Sequence, residues 1–119
     1  MIFAENSRVE VKAVTSIEGA PTSGVFRVKS LIGGENISLL EVRVPKGVRS
    51  SLHAHSHESL IYVVSGRLRT TIGAQEYVMG PGDACCHSQH AIHSVEALED
   101  TLFVEIKSPV PSLETTLGL

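Results

Sequence analysis

Apolar and polar residues alternate along most of this chain, and no stretch longer than about ten residues carries a 3.6-residue period. Residues 36–47, NISLLEVRVPKG, set Leu40, Val42 and Val44 on one face and Glu41 and Arg43 on the other, a strand closed by Pro45 and Gly47. Residues 59–66, SLIYVVSG, form an apolar run rich in β-branched residues and read as a buried strand. With SGRLRTTIG (65–73) it makes a hairpin around Ser65 and Gly66, with Leu68, Thr70 and Ile72 on one side. AQEYVMGPGD (74–83) is a short strand with Tyr77 and Met79 on one face, stopped at Gly80-Pro81-Gly82. ACCHSQHAIHSVEA (84–97) reads as strand, turn, strand. TLFVEIKSPV (101–110) is the closing strand, with Leu102, Val104 and Ile106 expected inward. Upstream, 8–14 alternates weakly, 17–24 is a turn-rich loop, and 24–34 is a strand before Gly33-Gly34. The start of the chain is too polar for a central strand and is expected on an edge. Residues 112–119 read as a helical turn or a loose tail. About ten short strands separated by turn signals predict an all-β sandwich or barrel.

Composition narrows the partners. A chain of 119 residues, 42% hydrophobic and 19% charged, is one globular domain. A net charge of −3 with no basic stripe argues against a nucleic-acid partner. No apolar run approaches a membrane span. MIFAENSRVE has neither a basic start nor an apolar stretch, so no secretory signal is read and the expected location is cytoplasmic. Cys85 and Cys86 are adjacent, and strand neighbours point to opposite faces, which disfavours a bond between them. One of the two is expected to face the interior.

All six histidines lie between positions 53 and 93. His53 and His55 are two apart, hence on one strand face, and imidazole is the commonest metal ligand. The spacing runs Gly47, five residues, His53, one residue, His55, three residues, Ser59, six residues, Gly66. A second stretch, PGDACCHSQHAIHSVEA, follows Gly82 with His93 eleven positions later. In these two motifs, and across about residues 35–108, the chain resembles a small single-domain cupin of the RmlC-like superfamily. The resemblance implies a double-stranded β-helix, the cupin jelly-roll barrel, with metal ligands at His53, His55 and His93; residues 1–34 are expected as edge strands, with a dimer interface as one place for them, and 109–119 as a tail. The chain departs from the family pattern at Ser59, where a Glu, Gln or His is usual, and at Ser88, His90 and Ala97. The fourth ligand is left open between His57, Glu58 and a water held by Ser59. His87 and His90 are expected at the rim.

Three neutral imidazoles with no carboxylate leave a divalent ion its full charge and an open position, the form of a catalytic site. Nitrogen ligation suits Zn, Ni, Fe or Cu over Mg or Ca. Such an ion attracts a small anionic ligand, with Arg49 on the same face nearer the mouth. Leu40, Val42, Ile61, Val63, Leu102 and Val104 are expected as apolar walls, with Tyr77 as the aromatic wall residue bearing a polar group. The cupin resemblance implies a dioxygenase, or an isomerase or lyase of sugars and uronates, with Glu58, His57, Tyr77 or Glu105 as candidate catalytic groups. The alternatives are a non-catalytic small-molecule or metal-binding module, and a structural protein with incidental histidines. Phe26, Tyr62 and Phe103 are expected to form an outer apolar face hidden in a twofold homodimer.

Overall fold

The computed structural model describes residues 2–109, and the expectation for 112–119 lies outside them. Among the described residues the strands are β1 (Lys12–Ile17), β2 (Ala20–Gly33), β3 (Ser38–Val44), β4 (Glu58–Ser65), β5 (Leu68–Ile72), β6 (Gln75–Met79), β7 (Ala84–His87), β8 (His93–Ala97) and β9 (Thr101–Ser108). They build a six-stranded antiparallel sheet, β1-β2-β3-β9-β4-β7, and a three-stranded sheet, β6-β5-β8. This is the all-β jelly-roll barrel that the alternating pattern and the two motifs predict. No helix among the described residues is long and apolar enough to cross a membrane.

The core forms where the pleat turns one face of each sheet inward. Phe26, Val28, Leu40, Val42, Val44, Ile61, Val63 and Phe103 come from the larger sheet; Leu68, Met79, Val95 and Ala97 come from the smaller. Residues 47–53 stitch the sheets together. Ser23 N–H bonds Arg49 O and Ser51 N–H bonds Pro21 O on the β2 side, while Ser50 N–H bonds Val95 O on the β8 side. Gly47 and Val48 exchange backbone bonds with Ala97.

The structure corrects three expectations. First, β9 runs with the opposite parity: Thr101, Phe103 and Lys107 face inward, and Leu102, Val104 and Ile106 lie on the outer face. Phe103 pairs with Val42 on one side and Val63 on the other, and antiparallel partners share a face, so it sits with two buried valines. The more polar side of β9 points in because it lines a cavity. Second, Phe26 and Phe103 are core residues, so the outer apolar face is built instead from Leu60, Tyr62 and Val64 beside the outer residues of β9. Third, residues 17–24 are not a long loop. Ile17 pairs with Ala20, leaving a two-residue turn at Glu18-Gly19 with β2 beginning immediately after it. Both turn residues have positive φ, 51° and 84°, the requirement of a type I′ hairpin. β1 is an edge strand, whereas β2, which lies within the same 1–34 stretch expected as edge strands, is paired on both sides, with β1 and β3.

Candidate metal centre

His53 and His93 are brought together by the backbone. Each N–H bonds the other's carbonyl, at 3.0 and 2.9 Å, which joins the first motif to β8. His55 follows two residues after His53, and His90 N–H on the loop after β7 bonds its carbonyl at 2.8 Å. Gln89 Nε2 donates to Ser56 O at 2.7 Å, pinning the same segment. The His53 and His93 ring centroids are 4.3 Å apart, and those of His55 and His93 4.6 Å.

The second nitrogen of each ring fixes its tautomer. Nδ1 of His53, His55 and His93 lies 2.8, 2.6 and 2.9 Å from the carbonyl oxygens of Ser51, His57 and Ala91. A carbonyl only accepts, so each Nδ1 donates, and in the neutral ring each Nε2 keeps a lone pair. One potential donor atom from each of the three residues lies within 4.8 Å of the other two. Burial pushes His55 below the usual histidine range and, with only partial opposition from Ala91's carbonyl, pulls His93 down to about 4. Neutral, oriented, buried imidazoles are what a metal ion needs, and the trio can hold one.

The structure distributes the other candidates differently. His57 is buried and stacks on His55 with centroids 3.9 Å apart, but it faces Glu18 rather than the trio. Glu58 is exposed at the start of β4 and points away. Ser59 is fully buried on the inner face, and its Oγ has no hydrogen-bond partner. Tyr77 is 48% exposed on β6 and bonds Gln75, so it is no wall of the cavity. Arg49 is exposed; residue 50, not 49, turns inward at that point. His90 is exposed as expected, but His87 is not a rim residue. It is 1% exposed, stacks on His93 at 4.0 Å and hydrogen-bonds Thr70 Oγ1 at 2.7 Å. Burial, helped by the neighbouring histidines, pushes it down to about 3.

Two residues enter that the sequence reading did not place in the site. The Glu18 side chain, carried on the β1–β2 turn, is only 5% exposed. Its Oε1 lies 3.1 Å from His57 Nε2 and 3.4 Å from Lys107 Nζ; its Oε2 lies 3.9 and 3.8 Å from His53 and His55 Nε2. Burial alone would raise its carboxyl, but His57, Lys107 and His55 outweigh it and hold the group at about 2. Lys107, 3% exposed, is the cation inside the barrel, in place of Arg49. A signal for the turn existed: Gly19, between two alternating runs, punctuates the chain there. How far that turn reaches over the barrel depends on sheet order, which local pattern does not carry.

The interior cavity is lined by the polar side chains of His53, His87, His93, Glu105 and Lys107 and by apolar residues that include Phe26, Leu40, Val42, Ile61 and Phe103. Its volume is about 40 Å³, against roughly 10–15 Å³ needed for one water on that scale.

A family model described as a cupin domain matches residues 40–106, more than half of the chain. No curated protein sequence matches it. Among solved structures it is similar to KdgF from Halomonas sp., with 24% identity, 94% of this chain and 96% of that one covered, and a TM-score of 0.81. It is also similar to an RmlC-like cupin from Shewanella frigidimarina, at 19% identity, 94% of each chain and a TM-score of 0.81. A third similar structure, described as a predicted oxalate decarboxylase from Thermotoga maritima, gives 16% identity, 92% and 100% coverage and a TM-score of 0.79. Match, motifs and barrel agree, and the chain belongs to the cupin domain family.

Proposed function

We propose that this chain is a metal-dependent cupin acting on a small anionic molecule at a His53, His55 and His93 centre. The observation that carries this reading is the set of three Nδ1 donors tied to backbone carbonyls, which leaves three Nε2 lone pairs in one buried place. The ion would be Zn, Ni, Fe or Cu, and when bound it would polarise a coordinated oxygen as a Lewis acid or, for Fe and Cu, exchange electrons. The chain's own groups then have distinct tasks. Lys107 offers a buried ammonium to an anion at the cavity wall. Glu105, half-buried on the same wall, is the carboxylate placed to take or return a proton. The apolar walls exclude water and so strengthen both interactions. The reaction classes supported are oxygenation of a small acid or enediol, and isomerisation or elimination on an acidic sugar. One similar structure carries the description of an oxalate decarboxylase, a name that also denotes a small carboxylate.

One observation favours a second reading, a non-catalytic metal-binding or small-molecule-binding module. At about 40 Å³ the cavity has room for a few waters, too little for a sugar acid unless the Glu18 turn moves. Reconstitution with each of the four ions, followed by oxygen uptake on small carboxylates and isomer analysis of uronates, separates the readings. Turnover that is lost in His53→Ala supports the enzyme. No turnover with any ion leaves the binding module.

A further inference from the structure

The carboxylate missing from Ser59 has a structural replacement. Nδ1 of both His53 and His55 donates to a carbonyl, so in their neutral form both Nε2 atoms present lone pairs. Glu18 Oε2 faces those two lone pairs at 3.9 and 3.8 Å and has no hydrogen-bond partner among the described residues. Three acceptors turned toward one another repel unless a proton or cation lies among them. The other oxygen of the same carboxylate is held separately: Oε1 accepts from Lys107 Nζ at 3.4 Å and lies 3.1 Å from His57 Nε2, which has no hydrogen-bond partner among the described residues and forms a second potential ligand group with Glu18 and His55. One oxygen anchored and the other left to the histidines is the arrangement of a metal-binding carboxylate supported from behind.

The backbone has been bent to achieve this. Glu18 occupies the left-handed region at φ 51°, where Asn, Asp and Gly are the usual residues and a glutamate costs about 1–2 kcal/mol. Asn or Gly would relieve that strain but would not carry a carboxylate into the barrel. The room is provided by Ser59. It stands in register between His87 on β7 and Lys107 on β9, facing inward, and its short side chain leaves the interior to the Glu18–Lys107 pair.

We propose that Glu18 is the fourth, acidic ligand of the metal centre, delivered by the β1–β2 turn instead of by strand β4, with Lys107 as its positioning residue. This rests on the metal-centre reading above. It alters that reading in one respect: the bound ion carries one compensating charge, so its pull on anions is weaker than three imidazoles alone would give.

Cobalt(II) titration of the chelator-treated chain, followed by visible absorption and by competition with a chelator, tests it in wild type, Glu18→Gln, Glu18→Asp and the His53→Ala, His55→Ala pair. Circular dichroism of the metal-free proteins checks folding, and Glu18→Asp serves if the Gln variant does not fold. The expected result is one cobalt per chain in wild type, an affinity at least tenfold lower in both Glu18 variants, and a changed cobalt spectrum. Wild-type affinity and spectrum in a Glu18 variant, with binding lost in the histidine pair, overturns the ligand role and leaves the three-histidine centre standing. Failure of wild type itself to bind cobalt removes the centre and the proposal together.

Discussion

The rings of His87 and His93 stack at 4.0 Å with their planes 17° apart, one at the end of β7 and the other at the start of β8. Both are buried and uncharged: burial pushes His87 down to about 3 and His93 to about 4. In the unfolded chain both return to about 6.5. Below that pH the unfolded chain takes up protons that the folded chain refuses, so stability is complete above pH 6.5 and falls toward pH 4. Each histidine contributes at most about 1.4 kcal/mol per pH unit. Glu18 acts lower down: its folded value near 2 gives stability that is present above about 4.5 and lost from there downward. Urea unfolding of the metal-free chain at pH 7, 5.5 and 4.5 should show a progressive fall. A flat profile would mean that these rings are not buried as described.

Gly66 ends the first motif at φ 90°, and a Cβ there would run into the Asp100 carbonyl oxygen and Thr101. Gly66→Ala should therefore cost about 2–4 kcal/mol, from backbone strain plus overpacking. Gly73, at φ 59°, has open space around its Cβ position, and Gly73→Ala should cost about 1 kcal/mol. Denaturant midpoints of the two variants measure the difference; equal losses would contradict the packing at Gly66.

Cys86 is exposed, whereas Cys85 is half-buried and lies 3.8 Å from His87 Nε2. Burial, with Glu105 and Cys86 nearby, raises the Cys85 thiol to about 11. Cys86 shares its face with Leu60, so the test uses Tyr62→Lys chains, in which that face is uncovered: since the thiolate is the nucleophile, a maleimide at neutral pH should modify one thiol quickly. Cys86→Ala should abolish that phase, and a persisting fast phase would place Cys85 at the surface.

Leu60, Tyr62 and Val64 are 48, 51 and 44% exposed on one face of β4, and Ile106 and Val104 of β9 pair beside the first two. We expect a second copy to cover this apolar strip in a twofold dimer. Sedimentation at micromolar concentration should give the mass of two chains, and Tyr62→Lys the mass of one. A single-chain mass for the unaltered protein would refute the dimer.

Much of the barrel was legible because β-strands repeat every two residues: Leu40, Val42 and Val44 alternate inward as their spacing predicts. The histidine trio was legible from the two motifs. The misread parts are those where a functional interior reverses the usual rule. β9 carries apolar residues on both faces, and its polar face points in because the cavity is there. His87 was expected at the rim, but its pairing with the inward-facing Ser59 turns it into the interior. Glu18 sits far from both motifs in sequence, and only the order β1-β2-β3-β9-β4-β7 brings its turn over them.

The most direct test of the metal centre is elemental analysis of the purified chain beside the His53→Ala, His55→Ala variant, each before and after reconstitution. The structure predicts about one transition-metal ion per chain in the unaltered protein and none in the variant. Equal metal in both, or none in either after reconstitution, would contradict the centre.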